Sequence, residues 1–214
     1  LYAVVSERRS KGPHIITVED PVEYRLDGVE QIQVKPKIGF TFAEALRHIL
    51  RHDPDEILVG EMRDFETAEI AVKASLTGHF VMSTLHTNDA PSSITRLIDM
   101  GIETYLINSS VVGVLAQRLV RKICPKCKVV DPDDAHLKAF FHLPESFPAQ
   151  MGTGCMECHN TGYHGRLMVG ELLEMTTPLK ELISARANAD TLREQAESDG
   201  MTSLTQNALD MEKD

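Results

Sequence analysis

The sequence predicts an α/β fold: a parallel-rich sheet flanked by helices, followed by a tetracysteine module and a C-terminal helical subdomain. Two observations predict the sheet. Short apolar runs such as Ile57-Leu58-Val59 are spaced by stretches of helical periodicity, as in parallel strands buried on both faces. These runs end in carboxylates or histidine, and α/β sheets hold ligands at the carboxyl ends of their strands. A third observation predicts the appendage: Cys124-Pro125-Lys126-Cys127 and Cys155-Met156-Glu157-Cys158 are paired Cys-x-x-Cys knuckles. The divisions expected are 1–123 for the core, 124–166 for the metal-binding module and 167–214 for a strand and helical subdomain.

Composition sets bounds. The 214 residues suffice for one core plus a smaller appendage, and 42% hydrophobic with 25% charged residues is ordinary globular usage. A net charge of −10 argues against a general nucleic-acid binder. No apolar run approaches the ~20 residues of a membrane span, and no signal peptide is expected. The chain begins with Leu1 rather than Met, and both ends read as unfinished helices. It therefore reads as part of a longer, intracellular protein.

In order, Leu1 to Arg9 is the tail of an amphipathic helix, stopped by Lys11-Gly12-Pro13. His14 to Val18 is a strand ending in Glu19, Asp20 and Glu23, three carboxylates of which one could serve as a general base toward water. Tyr24 to Ile38 alternates in part around Asp27-Gly28 and predicts a small hairpin on the rim of the sheet. Thr41 caps a helix over Phe42 to Leu50, with Glu44 as capping-box partner. Arg47 and Arg51 share one face of it and would suit a polyphosphate through bidentate, charge-assisted bonds; a pair of surface arginines is the plainer alternative. Ile57 to Val59 is the central strand, and Glu61 at its end is placed to hold a metal-bound water or polarise an attacking one. Phe65 to Leu76 is helical with a small-residue face, ended by Thr77-Gly78. His79 to Leu85 is a third strand closed by His86, so Glu23, Glu61 and His86 fall at one edge of one sheet. Ala90 to Met100 is a helix, and Glu103 to Ile123 reads as a longer helical region softened near Gly113.

Cys124, Cys127, Cys155 and Cys158 suit tetrahedral Zn²⁺. Four protein ligands leave no open position, so the site is expected to be structural. A redox dithiol needs one pair only. His159 is expected to be a bystander, and a short helix is expected over Ala135 to Phe141. Zinc knuckles also bind nucleic acid or protein, which is the competing reading; Asp131, Asp133, Asp134, Glu145 and Glu157 leave this module poor in positive potential. Gly162 to Arg166 is read as a turn, Leu167 to Met175 as a strand, and Pro178 to Ala187, Ala189 to Ser198 and Thr202 onward as helices.

Three segments carry a resemblance. Ile16 to Tyr24 resembles the Asp box of the secretion and type IV pilus ATPases, Leu50 to Asp64 their Walker B region, and Gly78 to Asn88 their His box. The cysteine pairs followed by Gly162-Tyr163-His164-Gly165-Arg166 resemble the metal module of the assembly branch, which includes GspE, PilB and the MSHA pilus ATPase. The resemblance covers nearly the whole chain. It implies a RecA-like P-loop NTPase core in a homohexameric motor that uses ATP and Mg²⁺, with structural Zn²⁺. It further implies work at the cytoplasmic face of the inner membrane on a platform protein and other cytoplasmic-face assembly proteins, adding or extracting pilin subunits. By motif position Glu61 becomes the Walker B acid and Glu23 the general base, supported by Glu19 and Asp20. Arg47 and Arg51 become arginine fingers, and His79 and His86 couple the site to a neighbouring subunit. One departure matters: no Gly-x-x-x-x-Gly-Lys-Ser/Thr occurs in these residues, so the phosphate cradle is missing here and the chain alone is expected not to hydrolyse ATP.

Overall fold

The computed structural model describes residues 1–147 and 149–213. The chain forms two compact units: Leu1–Val114 with Glu174–Asp199, and Leu115–Leu173 with Gly200–Asp214.

The first unit is built on four strands, β1 (Ile15–Glu19), β2 (Glu30–Gln33), β3 (Glu56–Val59) and β4 (Phe80–Ser83), in the order β2-β1-β3-β4 and all parallel. β1 and β3 are buried at every position, as their unbroken apolar runs require. Side-chain alternation sorts them into two faces. Ile16, Val18, Ile57 and Val59 pack with Ala45, Leu46 and Ile49 of α2 (Phe42–Ile49) and Ala71 and Ala74 of α3 (Phe65–Leu76). Ile15, Leu58 and Met82 pack with Val5 of α1 (Tyr2–Arg9) on the opposite face. Burying a side chain of this size contributes about 2 kcal/mol.

Helix starts follow local chemistry. Thr41, Asp64, Asp89, Thr176 and Asn188 each accept an N–H from three residues on, opening α2, α3, α4 (Ala90–Asp99), α7 (Thr177–Ser184) and α8 (Ala189–Ser198). Only half of the capping box at Thr41 forms: the Glu44 carboxylate turns to His48 and Arg47 instead.

Two expectations before the cysteine module are corrected. No hairpin forms over Tyr24 to Ile38. β2 pairs in parallel with β1, and a 3₁₀ turn over Pro36–Ile38 follows it. Gly28 makes the expected tight bend at φ +75°, but the bend lies inside the connection instead of between paired strands. Nor is Glu103 to Ile123 one softened helix. α5 (Thr104–Ser110) stops, and β5 (Gly113–Ile123) is a strand.

In the second unit β5 pairs with β8 (Tyr163–Glu174), which begins four residues earlier than the sequence suggested. The expected turn at Gly162 to Arg166 is therefore largely strand. β6 (Lys128–Val130) and β7 (Gln150–Gly152) form a small antiparallel pair, and α6 spans Ala135–Phe140. α9 (Leu204–Lys213) is tied to β8: Leu204 N–H donates to the buried Glu171 carboxylate at 3.0 Å, and Gly170 N–H donates to Asn207 Oδ1 at 3.0 Å.

Candidate active site and metal centre

Because β1, β3 and β4 are parallel neighbours, their carboxyl ends share one edge. Gly60 N–H donates to Val18 O at 2.7 Å, and Met62 N–H donates to Thr84 O at 3.0 Å, tying the three ends together. A Cβ at Gly60 would lie 3.1 Å from Val18 O and 3.3 Å from Glu19 Cα, so the close approach of β1 and β3 favours glycine there.

Glu61 follows directly and is buried to 9% exposure. Its Oε2 accepts from Arg63 Nε at 2.5 Å and lies 3.1 Å from His86 Nε2. Glu61 and His86, 25 residues apart in sequence, therefore meet as expected from their shared edge. Such a pair holds a carboxylate in place beside a titratable ring that is itself open to solvent.

Glu19 is nearly fully buried, and its carboxylate accepts from the hydroxyls of Tyr2 and Thr17 and from Gln31 Nε2 at 3.2 Å. Asp20 and Glu23 lie on the exposed loop beyond it, which contains a cis Asp20–Pro21 peptide. Glu23 is exposed, and its backbone N–H donates to Tyr2 Oη at 3.2 Å.

The remaining candidates are dispersed. α2 leads from the carboxyl end of β2 to the amino end of β3, so Arg51 lies one turn farther from the carboxylates than Arg47. Arg47 bonds Glu66 in the first turn of α3 and approaches Glu44 at 3.5 Å, whereas Arg51 is exposed past the helix end. His79 precedes β4 at the opposite edge from His86. Its Nδ1 lies 2.9 Å from Ala74 O and 3.2 Å from Thr77 Oγ1, at the end of α3. Thr17 and Arg63 bond carboxylates two residues away in sequence. Tyr2 and Gln31 belong to the site without a local mark: the register of β2 on β1, and α1 on that face, bring them to Glu19.

The four cysteine sulfurs lie within 4.8 Å of one another, with Cys124–Cys155 and Cys127–Cys158 at 3.9 Å and Cys155–Cys158 at 3.7 Å. Tetrahedral Zn–S bonds of 2.3 Å require S···S separations of about 3.8 Å, so the donor set fits zinc as folded. His159 is not among the converging groups. Burial pushes the Cys127 thiol up to about 11, with its neighbouring thiols adding to the rise. Burial also acts on Cys158, but N–H groups of Cys155 and Gly162 and the adjacent thiols outweigh it and bring Cys158 down to about 6. The knuckle needs Gly152 and Gly162, because a Cβ on Gly162, at φ +77°, would stand 2.4 Å from Gly152 O.

The family model described as "Type II/IV secretion system protein" matches residues 1–214. The chain belongs to that family. It is 51% identical over 194 residues to the type II secretion system ATPase E of Vibrio cholerae, covering 90% of this chain and 39% of that one. To the type IV pilus assembly ATPase PilB of Myxococcus xanthus it is 45% identical over 214 residues, covering 98% and 38%. The chain thus spans about two fifths of the length of these curated relatives. The pilus retraction motor PilT with bound ADP superposes with a TM-score of 0.58 at 29% identity, over 91% of this chain and 51% of that one. The Legionella pneumophila ATPase DotB superposes at 0.65 over 96% and 50%, and at 20% identity it attests the fold alone. No helix among the described residues is long and apolar enough to cross a membrane.

Proposed function

We propose that this member of the type II/IV secretion family is the catalytic portion of an ATP-hydrolysing motor for type II secretion or type IV pilus assembly. One observation carries the reading: Glu61, buried and met by Arg63 and His86, stands at the carboxyl edge of a parallel sheet. In this reading the full-length protein is a homohexamer at the cytoplasmic face of the inner membrane. It acts on a platform protein and its assembly partners.

Roles follow from position. Glu61 would hold the water shell of a nucleotide-bound Mg²⁺, whose chemistry is to neutralise charge on the phosphates. Glu23, exposed on its loop, would take a proton from the attacking water, and Asp20 shares that loop. Glu19 would anchor the loop. His86 would report the state of Glu61 to a neighbouring subunit. Arg47 and Arg51 would meet phosphates across a subunit boundary, Arg47 after leaving Glu66; His79 would keep α3 joined to β4 at the far edge. Cys124, Cys127, Cys155 and Cys158 would hold one structural Zn²⁺. As a division of labour, residues 1–123 carry the nucleotide side, 124–166 the metal module and 167–214 the closing subdomain.

The test compares two proteins. The full-length protein should release phosphate from Mg·ATP, while the 214-residue chain, without a Gly-x-x-x-x-Gly-Lys-Ser/Thr segment, should not. Turnover by the short chain at the full-length rate would overturn the assignment of roles.

A further inference from the structure

We propose that the Tyr2 hydroxyl is a positioning group for Glu23: by joining Glu19 to the 20–24 loop, it sets where the Glu23 carboxylate stands. The inference rests on Glu23 acting as the base and deepens that reading.

The placement follows from the two faces of the sheet. Val5 packs on the face that carries Ile15 and Leu58. Strand alternation puts Thr17 and Glu19 on the face of Ile15. Tyr2 lies three residues before Val5, on the same side of α1. It therefore reaches the end of β1, while Arg8, at the other end of α1, bonds Glu56 at the start of β3.

Tyr2 Oη is a junction. It donates to Glu19 Oε2, accepts the Glu23 N–H at 3.2 Å, and lies 3.5 Å from Gln31 Nε2. The Tyr2 ring meets Tyr24 edge-on, with centroids 4.6 Å apart. Gln31 clamps the same loop from β2: its Nε2 donates to Glu19 Oε1 at 3.2 Å and to Tyr24 O at 3.1 Å, and its Oε1 accepts Leu26 N–H at 2.7 Å. Burial and the bond to Glu19 raise the Tyr2 hydroxyl above its ordinary value, so it remains a donor at working pH.

Two acids four residues apart thus have opposite situations. Glu19 has both oxygens engaged by donors and is fixed. The Glu23 carboxylate is exposed, and its backbone is held by Tyr2. A base must stand within hydrogen-bond reach of the water it activates, and a displacement of about 1 Å can cost ~100-fold in rate. Removing one hydroxyl oxygen should therefore act on the chemical step and spare nucleotide binding.

The experiment is a double-mutant cycle in the full-length protein, reading kcat and KM for Mg·ATP. Tyr2→Phe keeps the ring on Tyr24 and should lower kcat about tenfold, with KM changed less than twofold; the Glu19 oxygen left without its donor should lower the melting temperature by only a few degrees. Gln31→Met, removing the other tether, should give the same split. In a Glu23→Gln background, Tyr2→Phe should cause no further loss. Wild-type kcat in Tyr2→Phe, a loss confined to KM, or a loss that multiplies with Glu23→Gln would overturn the positioning role while leaving Glu23 as base. Wild-type turnover in Glu23→Gln alone would overturn the base assignment and the proposal with it.

Discussion

Glu61 has two partners of different kind: Arg63, two residues away in sequence, and His86, which arrives from another strand. The meeting with His86 was legible because strand ends can be found in sequence and parallel strands share an edge. Tyr2 and Gln31 were not legible. Each reaches Glu19 only through the packing of α1 and the pairing of β2, and neither leaves a local mark. His79 and His86, seven residues apart, straddle a strand and end at opposite edges of the sheet. At the cysteine cluster, spacing was sufficient to foresee that the four thiols converge. The glycines beside them are equally demanding. Gly162→Ala should weaken the module by about 3 kcal/mol, because a Cβ would enter backbone with no room to give. Zinc content and a melt with chelator would show it: the wild type should hold one Zn per chain and the variant should lose it to a weaker chelator. Equal retention would contradict the steric argument.

Among the elements, caps and buried apolar runs were readable and β5 was not. Leu115-Ala116-Gln117-Arg118-Leu119 are good helix formers, and nothing nearby in sequence pairs with them. Their partner is β8, some 50 residues on, and long-range pairing overrides weak local propensity. The hairpin expected near Gly28 failed similarly, since the buried β1 takes β2 as a parallel neighbour. Asp89 shows a cap that also joins helices: it accepts Ser92 N–H at 2.8 Å and meets Arg193 of α8 at 2.8 Å. Burial pushes its carboxyl up, but Ser92 and Arg193 outweigh this and hold it below the usual range. A carboxyl depressed in the folded state stabilises fully above its unfolded value of about 4, and the benefit is lost as pH falls below that. Asp89→Ala should therefore cost about 1–2 kcal/mol at neutral pH, and its deficit should shrink below about pH 4. Urea melts at pH 7 and pH 3.5 would reveal this; an unchanged deficit would exclude the charged pair as its source.

At the scale of the whole molecule, the four-stranded parallel sheet carries the candidate chemistry at one edge, and a separate unit gathers four cysteines. The proposal that this edge serves ATP hydrolysis rests on membership of the secretion family and on the buried Glu61. A single oxygen-to-nitrogen exchange at Glu61 removes its charge and keeps its shape. The most direct measurement is phosphate release from Mg·ATP by the full-length protein with Glu61→Gln, alongside a melt. A loss of turnover of at least about 100-fold with an unchanged melting temperature is the expected result. Turnover within about twofold of the wild type would contradict the placement of ATP hydrolysis at this edge.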